Sequence, residues 1–78
     1  MSEFKNWGIG QIVVFTEFYQ LNGAGRKGST SGFNINARIT DYLEQMTENG
    51  LQYGYIVEDV LTTKSYFVLE SDCKLAKD

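Results

Sequence analysis

Histidine is absent from the chain, and Cys73 is its single cysteine. One cysteine cannot form an internal disulfide, so we expect a reducing compartment and a structural role for the Cys73 thiol. Without histidine, general-base chemistry near neutral pH would require a carboxylate or lysine with a strongly shifted pKa. The carboxylates have neither the spacing of a catalytic pair nor that of a calcium loop. We therefore expect no enzyme activity, no catalytic residue, no metal site and no cofactor.

Long hydrophobic runs are also missing. The longest uninterrupted aliphatic and aromatic run covers residues 12–15, whereas a membrane-spanning helix needs about 18 apolar residues. Residues 1–5 lack the apolar core of a signal peptide. The sequence therefore predicts a cytoplasmic protein without a membrane segment.

Positive charge is in short supply. Seven lysine and arginine residues stand against ten aspartate and glutamate residues, which gives a net charge of −3. Binding to nucleic acid is driven by cations that replace counterions at phosphates, so it would need a segregated basic patch. The charge balance favours a protein partner over a nucleic acid.

The short chain limits the core that it can build. Its 78 residues predict a single domain, residues 1–78, that buries only about 60% of the surface of the unfolded chain. We expect a stability of about 3–5 kcal/mol, which favours a homo-oligomer or a bound partner. Five phenylalanines, five tyrosines and one tryptophan argue against disorder, because they bury a large area at few positions.

Strand-forming residues dominate the pattern along the chain. We predict strands over residues 11–21, 51–60 and 66–70, followed by a 3₁₀ turn or edge strand over 71–76. Residues 33–48 are open to two interpretations. The spacing of Ile39, Tyr42, Leu43 and Met46 fits a short helix near residues 39–48. Alternation over residues 33–43 and the Asn-Gly pair that follows favour a strand and a hairpin.

A segment rich in glycine and serine, residues 22–32, interrupts the strand pattern. It has no large apolar side chain, so we predict a long flexible surface loop. Its G-x-G-x-x-G match lacks the helix that a dinucleotide site requires. A solvated loop is favoured, and the alternative is a phosphate site in which glycine amides, cations and hydroxyls bind an anion. That site would comprise Gly23, Gly25, Arg26, Lys27, Ser29 and Thr30.

The aromatic residues exceed what one narrow core face needs. Most are expected in the core, and some are expected at the surface, where they can anchor a protein interface or stack on bases. The candidate interface residues are Trp7, Tyr19, Arg38, Tyr53 and Tyr55.

Five stretches together are similar to a known architecture: residues 10–15, 37–42, 54–59, 65–70 and 72–75. Their order resembles the strands of a small SH3-like β-barrel of the KOW or Tudor type. The resemblance implies a mainly β fold, either such a barrel or a strongly bent antiparallel sheet of about five strands. Modules of this kind bind RNA, ribosomal or polymerase surfaces, or peptide tails, and rarely catalyse reactions. The compact, proline-free chain also resembles small phage-encoded proteins in general character.

Three functional hypotheses follow. The first is a non-enzymatic module that binds a protein partner, for example a phage-type inhibitor or modulator of host machinery. The second is an SH3-like nucleic-acid-binding protein that uses Arg26, Lys27 and Arg38 for phosphates. The third is a binder of a small phosphorylated ligand through the glycine-rich loop.

Overall fold

A computed structural model describes residues 7–21 and 27–76 of the chain. These residues form one seven-stranded antiparallel sheet that curls into a half-barrel, with the strand order β3-β2-β6-β5-β4-β1-β7. The strands are β1 (Ile12–Phe15), β2 (Glu17–Gln20), β3 (Lys27–Ser29), β4 (Ile35–Thr47), β5 (Gly50–Asp59), β6 (Ser65–Leu69) and β7 (Cys73–Leu75). A 3₁₀ turn, Glu70–Asp72, joins β6 to β7. The prediction of a mainly β, bent antiparallel sheet is confirmed.

The structure corrects the strand count from about five to seven. The single strand predicted over residues 11–21 divides at Thr16, where the chain leaves β4 and β7 and begins to pair with β3 and β6. β3 lies inside the segment that was predicted to be loop, because Gly28 pairs with Phe18. Residues 71–76 contain both of the predicted alternatives, since the 3₁₀ turn leads into edge strand β7.

The helix considered near residues 39–48 is wrong, because β4 pairs with β5 as far as Thr47. The register shifts by one residue between Ile39 and Asp41. This bulge places Ile39 opposite Val57 and Tyr42 opposite Tyr55, so the side chains of residues 39 and 42 lie on the same face. A single bulge thus reproduces the i, i+3 spacing of a helix within a strand.

The core covers both faces of the sheet. Its larger cluster contains Val57 and Val68, and a smaller cluster contains Tyr19 and Phe67. Val68 and Phe67 are neighbours on β6 and both are fully buried, although alternate side chains of a strand point to opposite faces. The central strands are therefore covered on both sides.

Gly54 allows the smaller cluster to pack closely against β5. A Cβ atom built at Gly54 would lie 2.8 Å from Cε1 of Phe67 and would also collide with the backbone oxygen of Val68. The missing side chain lets the Phe67 ring lie directly over β5, next to the partly buried Leu43. Gly54 is thus required for this close approach of the Phe67 ring to β5.

Candidate functional site

The described members of the predicted phosphate loop are engaged within the protein. Lys27 Nζ lies 3.0 Å from Asp72 Oδ2 and 3.5 Å from Glu17 Oε1. Its hydrogen bond with Asp72 raises the pKa of Lys27. The Lys27 ammonium also lies 5.8 Å from the centre of the Tyr19 ring. Lys27 therefore connects β3 to the 3₁₀ turn.

The two hydroxyl residues of the predicted loop also have partners. Ser29 Oγ accepts a hydrogen bond from the Ser31 amide at 3.2 Å. Thr30 is 7% exposed, and its hydroxyl donates to the Phe33 carbonyl oxygen. Gly23, Gly25 and Arg26 lie outside the described residues. The described half of the loop therefore shows no cluster of donors that converges on an anion.

The predicted interface residues divide by burial. Tyr19 and Tyr55 are both 0% exposed, so their side chains belong to the core and cannot line a surface of this fold. Trp7 is half-buried, and Arg38 and Tyr53 are exposed. Arg38 lies on β4 and Lys27 on β3, with three strands between them in the sheet. The sheet order therefore does not place these two cations on neighbouring strands.

The clearest surface feature is one face of the β4–β5 hairpin beyond the bulge, which we call the open face. The register pairs Tyr42 with Tyr55, Glu44 with Tyr53, and Met46 with Leu51. Directly opposed residues in an antiparallel pair share a face. Tyr53 is 62% exposed, Met46 60% and Leu51 57%. The open face, comprising Tyr42, Glu44, Met46, Leu51 and Tyr53, therefore extends the larger core cluster from Tyr55 into solvent.

The other side of the same hairpin segment, which we call the packed face, has the opposite composition. Leu43 packs against the smaller core cluster, and Gln45 and Thr47 are buried. Gln45 Nε2 donates to the Gln20 carbonyl oxygen at 3.1 Å. Thr47 Oγ1 lies 2.8 Å from the Gly50 carbonyl oxygen and accepts from the Asn49 amide at 3.1 Å. Hydrogen-bonded polar groups are thus buried on one face, while large apolar groups are exposed on the other.

Hydrogen bonds and ring stacking fix the inner end of the open face. The rings of Trp7 and Tyr55 stack with their centres 5.7 Å apart. The Trp7 amide donates to the Tyr55 hydroxyl at 3.1 Å, and the Tyr42 hydroxyl donates to the Trp7 carbonyl at 2.8 Å. The Tyr55 hydroxyl donates to Glu70 Oε2 at 2.8 Å. Burial raises the pKa of Tyr55, so this hydroxyl stays protonated and keeps donating to Glu70 at neutral pH.

The charge on this part of the hairpin has one sign. Residues 41–56 contain Asp41, Glu44 and Glu48, and no lysine or arginine. Glu44 lies on the open face directly opposite Tyr53, and Glu48 lies in the turn between β4 and β5. The face therefore offers apolar contacts, aromatic rings and carboxylates. These groups complement a segment that carries both cationic and apolar side chains.

The interface residues predicted from the sequence include Tyr53 and Trp7 but not Tyr42, Met46 and Leu51, which lie on the open face. A signal for the last two is present in the sequence. Met46 and Leu51 lie two positions outside the Glu48–Asn49 turn, one on each side, and such symmetrical positions pair across a two-residue turn. Gly50, with a φ of 101°, provides the left-handed backbone conformation that ends this turn.

The described residues offer few groups suited to metal binding or nucleophilic chemistry. Within residues 7–21 and 27–76, no three histidine, cysteine, aspartate or glutamate side chains are grouped to hold a metal ion. Burial raises the pKa of the Cys73 thiol to about 12, and Glu70 and Asp72 add to the shift, so the thiol is protonated and a poor nucleophile near pH 7. The same described ranges contain no helix long and apolar enough to cross a membrane.

Comparison of the chain with protein-family models, with curated proteins and with solved structures gives no match. The curled sheet is compatible with a small β-barrel, and no relative supports the KOW or Tudor assignment or a phage origin.

Proposed function

We propose that the protein is a non-enzymatic interaction module that binds a protein segment on the open face of the β4–β5 hairpin. The observation that carries the proposal is the inverted burial of this hairpin. Met46, Leu51 and Tyr53 are each more than half exposed, while Gln45 and Thr47 on the reverse side are buried. Exposed apolar groups that lie together on a surface are a common mark of a protein-binding site.

The partner that fits this face carries both apolar and cationic side chains. Tyr53 and Leu51 offer apolar surface, and Glu44 lies opposite Tyr53, where a lysine or arginine of the partner would meet both a carboxylate and an aromatic ring. A nucleic acid would meet repulsion, because residues 41–56 carry three carboxylates and no cation. Two copies joined by their open faces would likewise bring like charges together.

One form of such a binding protein is an SH3-like module of phage type that inhibits or modulates host machinery. The nucleic-acid and phosphate hypotheses have less support, because Lys27 forms ion pairs with Asp72 and Glu17. Arg38 lies away from Lys27 in the strand order.

The test is a selection of binding peptides from a random displayed library on the immobilised protein. We expect enrichment of peptides that combine lysine or arginine with apolar residues. The double variant Met46→Ser with Tyr53→Ser should bind these peptides at least about tenfold more weakly, which corresponds to about 1.4 kcal/mol. Glu44→Lys should weaken binding mainly at low salt.

A matched control is available at another exposed apolar site. Val60 and Leu61 are 41% and 88% exposed in the turn between β5 and β6. The double variant Val60→Ser with Leu61→Ser should leave peptide binding unchanged. The proposal is wrong if no peptides are enriched, or if the control variant removes binding and the open-face variant does not.

A further inference from the structure

The outer edge of β4, which is the edge that faces away from β5, is paired along only part of its length. β1 pairs with β4 over residues 35–38, and the last backbone bonds on that side reach Ile39. A turn at residues 8–11, closed by a 3.1 Å hydrogen bond from the Gln11 amide to the Gly8 carbonyl, reverses the chain at this point. Within residues 7–21 and 27–76, no strand pairs with the outer edge over residues 40–47.

The register of the hairpin shows which backbone groups this edge presents. In an antiparallel pair, residues that exchange backbone hydrogen bonds alternate with residues whose amides and carbonyls point away from the partner strand. Thr47 and Gly50 lie opposite each other across the two-residue turn and therefore exchange bonds. Alternation back from Thr47 directs the amides and carbonyls of Glu44 and Met46 outwards, while those of Gln45 point to β5.

The outer edge has features that disfavour pairing with a second copy of the chain. The bulge between Ile39 and Asp41 interrupts it, and Asp41 Oδ1 accepts a hydrogen bond from the Tyr42 amide at 2.8 Å. Residues 41–56 contribute three carboxylates and no lysine or arginine. Two β4 strands paired about Glu44 would place the two Glu44 carboxylates opposite each other, which destabilises such a pair. The same charge favours a cationic strand.

We propose that the partner segment binds as an added antiparallel strand along the outer edge of β4, in line with β1. This inference rests on the proposed function and names its binding mode. The outward amides and carbonyls of Glu44 and Met46 bond to the backbone of the segment, as in other cases of strand addition. The antiparallel direction follows that of every strand pair in the sheet.

The alternation of side chains along a strand defines the sequence that fits this edge. Directly opposed residues of an antiparallel pair lie on the same face, so segment residues opposite Tyr42, Glu44 and Met46 join the open face. A cation complements Glu44, and apolar residues complement Tyr42 and Met46. The favoured partner is therefore an extended segment in which a lysine or arginine has an apolar residue two positions away on each side.

The first experiment uses a synthetic probe peptide with the core Val-Thr-Lys-Thr-Val, flanked by Gly-Ser on each side. Its control has the core Thr-Val-Lys-Val-Thr, which has the same composition and places both valines on the face opposite the lysine. NMR titration of the full chain measures both affinities. We expect the control to bind at least about fivefold more weakly. Equal affinities, or no binding of the probe at millimolar concentration, would overturn the inference.

The second experiment tests the backbone bonds by N-methylation of the probe. In the added strand, the lysine amide points to β4 and the threonine amides point away. Methylation of the lysine amide should weaken binding at least about tenfold, and methylation of one threonine amide should leave it unchanged. Equal effects of the two methylations would contradict strand addition.

Hydrogen exchange locates the edge that the probe uses. The amides of Glu44 and Met46 should exchange with solvent several times more slowly when the probe is bound. The Leu51 amide points to the other edge of the hairpin, because Leu51 lies opposite Met46, and its exchange should be unaffected. Slower exchange at Leu51 alone would place the probe on β5 and overturn the inference.

The open-face variant Met46→Ser with Tyr53→Ser separates this inference from the proposed function. If the variant weakens probe binding while both methylated peptides bind alike, the open face binds partners without strand addition, and this inference is wrong. If methylation of the lysine amide abolishes binding while the variant binds the probe normally, a strand adds to β4 without using the open face, and the proposed function is wrong.

Discussion

The two faces of the β4–β5 hairpin beyond its bulge are built from the same two strands and differ in what they contact. The packed face buries Gln45 and Thr47 with hydrogen-bond partners, next to Leu43 and Gly54. The open face exposes Met46, Leu51 and Tyr53. Burial in this hairpin is therefore decided by which face meets β2 and β6, and not by the polarity of the side chain.

The difference teaches that stability and binding can be assigned to separate faces. Changes on the packed face act on the free energy of unfolding, because they create cavities, collisions or unpaired polar groups. Changes on the open face leave the contacts of the folded protein largely intact and alter the affinity for a partner that binds there. The following predictions test this division, in order of decreasing effect on stability.

Gly54→Ala should give the largest loss. Its Cβ would lie 2.8 Å from Cε1 of Phe67 and collide with the Val68 backbone, and backbone cannot move aside as a side-chain tip can. We expect a loss of about 3 kcal/mol in denaturant unfolding, the upper part of the range for overpacking. Gly28→Ala is the control, since its Cβ meets only the Phe18 ring, at 3.1 Å. An equal loss at Gly28 would contradict the role given to the packed face.

Leu43→Ala and Met46→Ala compare the two faces directly on one strand. Leu43 packs against the smaller core cluster, so its truncation should lower the free energy of unfolding by about 2 kcal/mol. Met46 is 60% exposed, so its truncation should change that free energy by less than about 0.5 kcal/mol. Chemical denaturation of both variants is the measurement, and similar losses would remove the distinction between the faces.

Tyr55→Phe tests the boundary between core and open face. The change keeps the buried ring and removes the hydroxyl that accepts from Trp7 and donates to Glu70. We expect a loss of about 1 kcal/mol and a shift in Trp7 fluorescence towards that of an exposed indole. Tyr53→Phe, at a position 62% exposed, should change neither quantity. A silent Tyr55→Phe variant would show that this hydroxyl does not hold Trp7 in place.

Alkaline pH should lower the free energy of unfolding through ionisation of the Cys73 thiol. Its folded pKa is raised from 9.0 to about 12 by burial and by Glu70 and Asp72. The folded state therefore holds the thiol proton more tightly than the unfolded state. Its contribution to stability is complete below pH 9 and is lost as the pH rises through 12.

The measurement is the melting temperature between pH 8 and pH 12, compared with that of Cys73→Ala. We expect a steeper fall for the unchanged chain. Tyr55 and Lys27, whose pKa values are also raised, contribute a decline with the same sign to both proteins. Parallel curves for the two proteins would rule out the contribution of Cys73.

Much of the sheet can be predicted from local sequence. Alternation around Tyr53 and Tyr55 and the glycine at position 50 indicate a hairpin, and both features are present. The division at Thr16 could not be predicted, because it arises from pairing with four different strands, three of which are distant in sequence. The bulge after Ile39 could not be predicted either, because it places residues 39 and 42 on the same face, as a helix would.

The candidate site was less predictable than the fold. Residue type identified Trp7 and Tyr53 as surface candidates, but it also selected Tyr19 and Tyr55, which are fully buried. Tyr55 is buried because the rings of Trp7 and Tyr42 pack against it and Glu70 accepts from its hydroxyl, whereas Tyr53 lies beyond the last β5–β6 pair, Gly54 with Leu69. Such coverage depends on strand length and register, which composition does not report.

The pairing of β1 with β7 has a consequence for the time course of folding. Val13 lies opposite Leu75, so this contact must close a loop of about sixty residues, whereas β4 and β5 meet across the two-residue turn at 48–49. Loop closure is slower and entropically less favourable for the longer separation. We expect the hairpin to form within microseconds and β7 to join last, so that pulse-labelled hydrogen exchange protects the amides of β5 before those of β7.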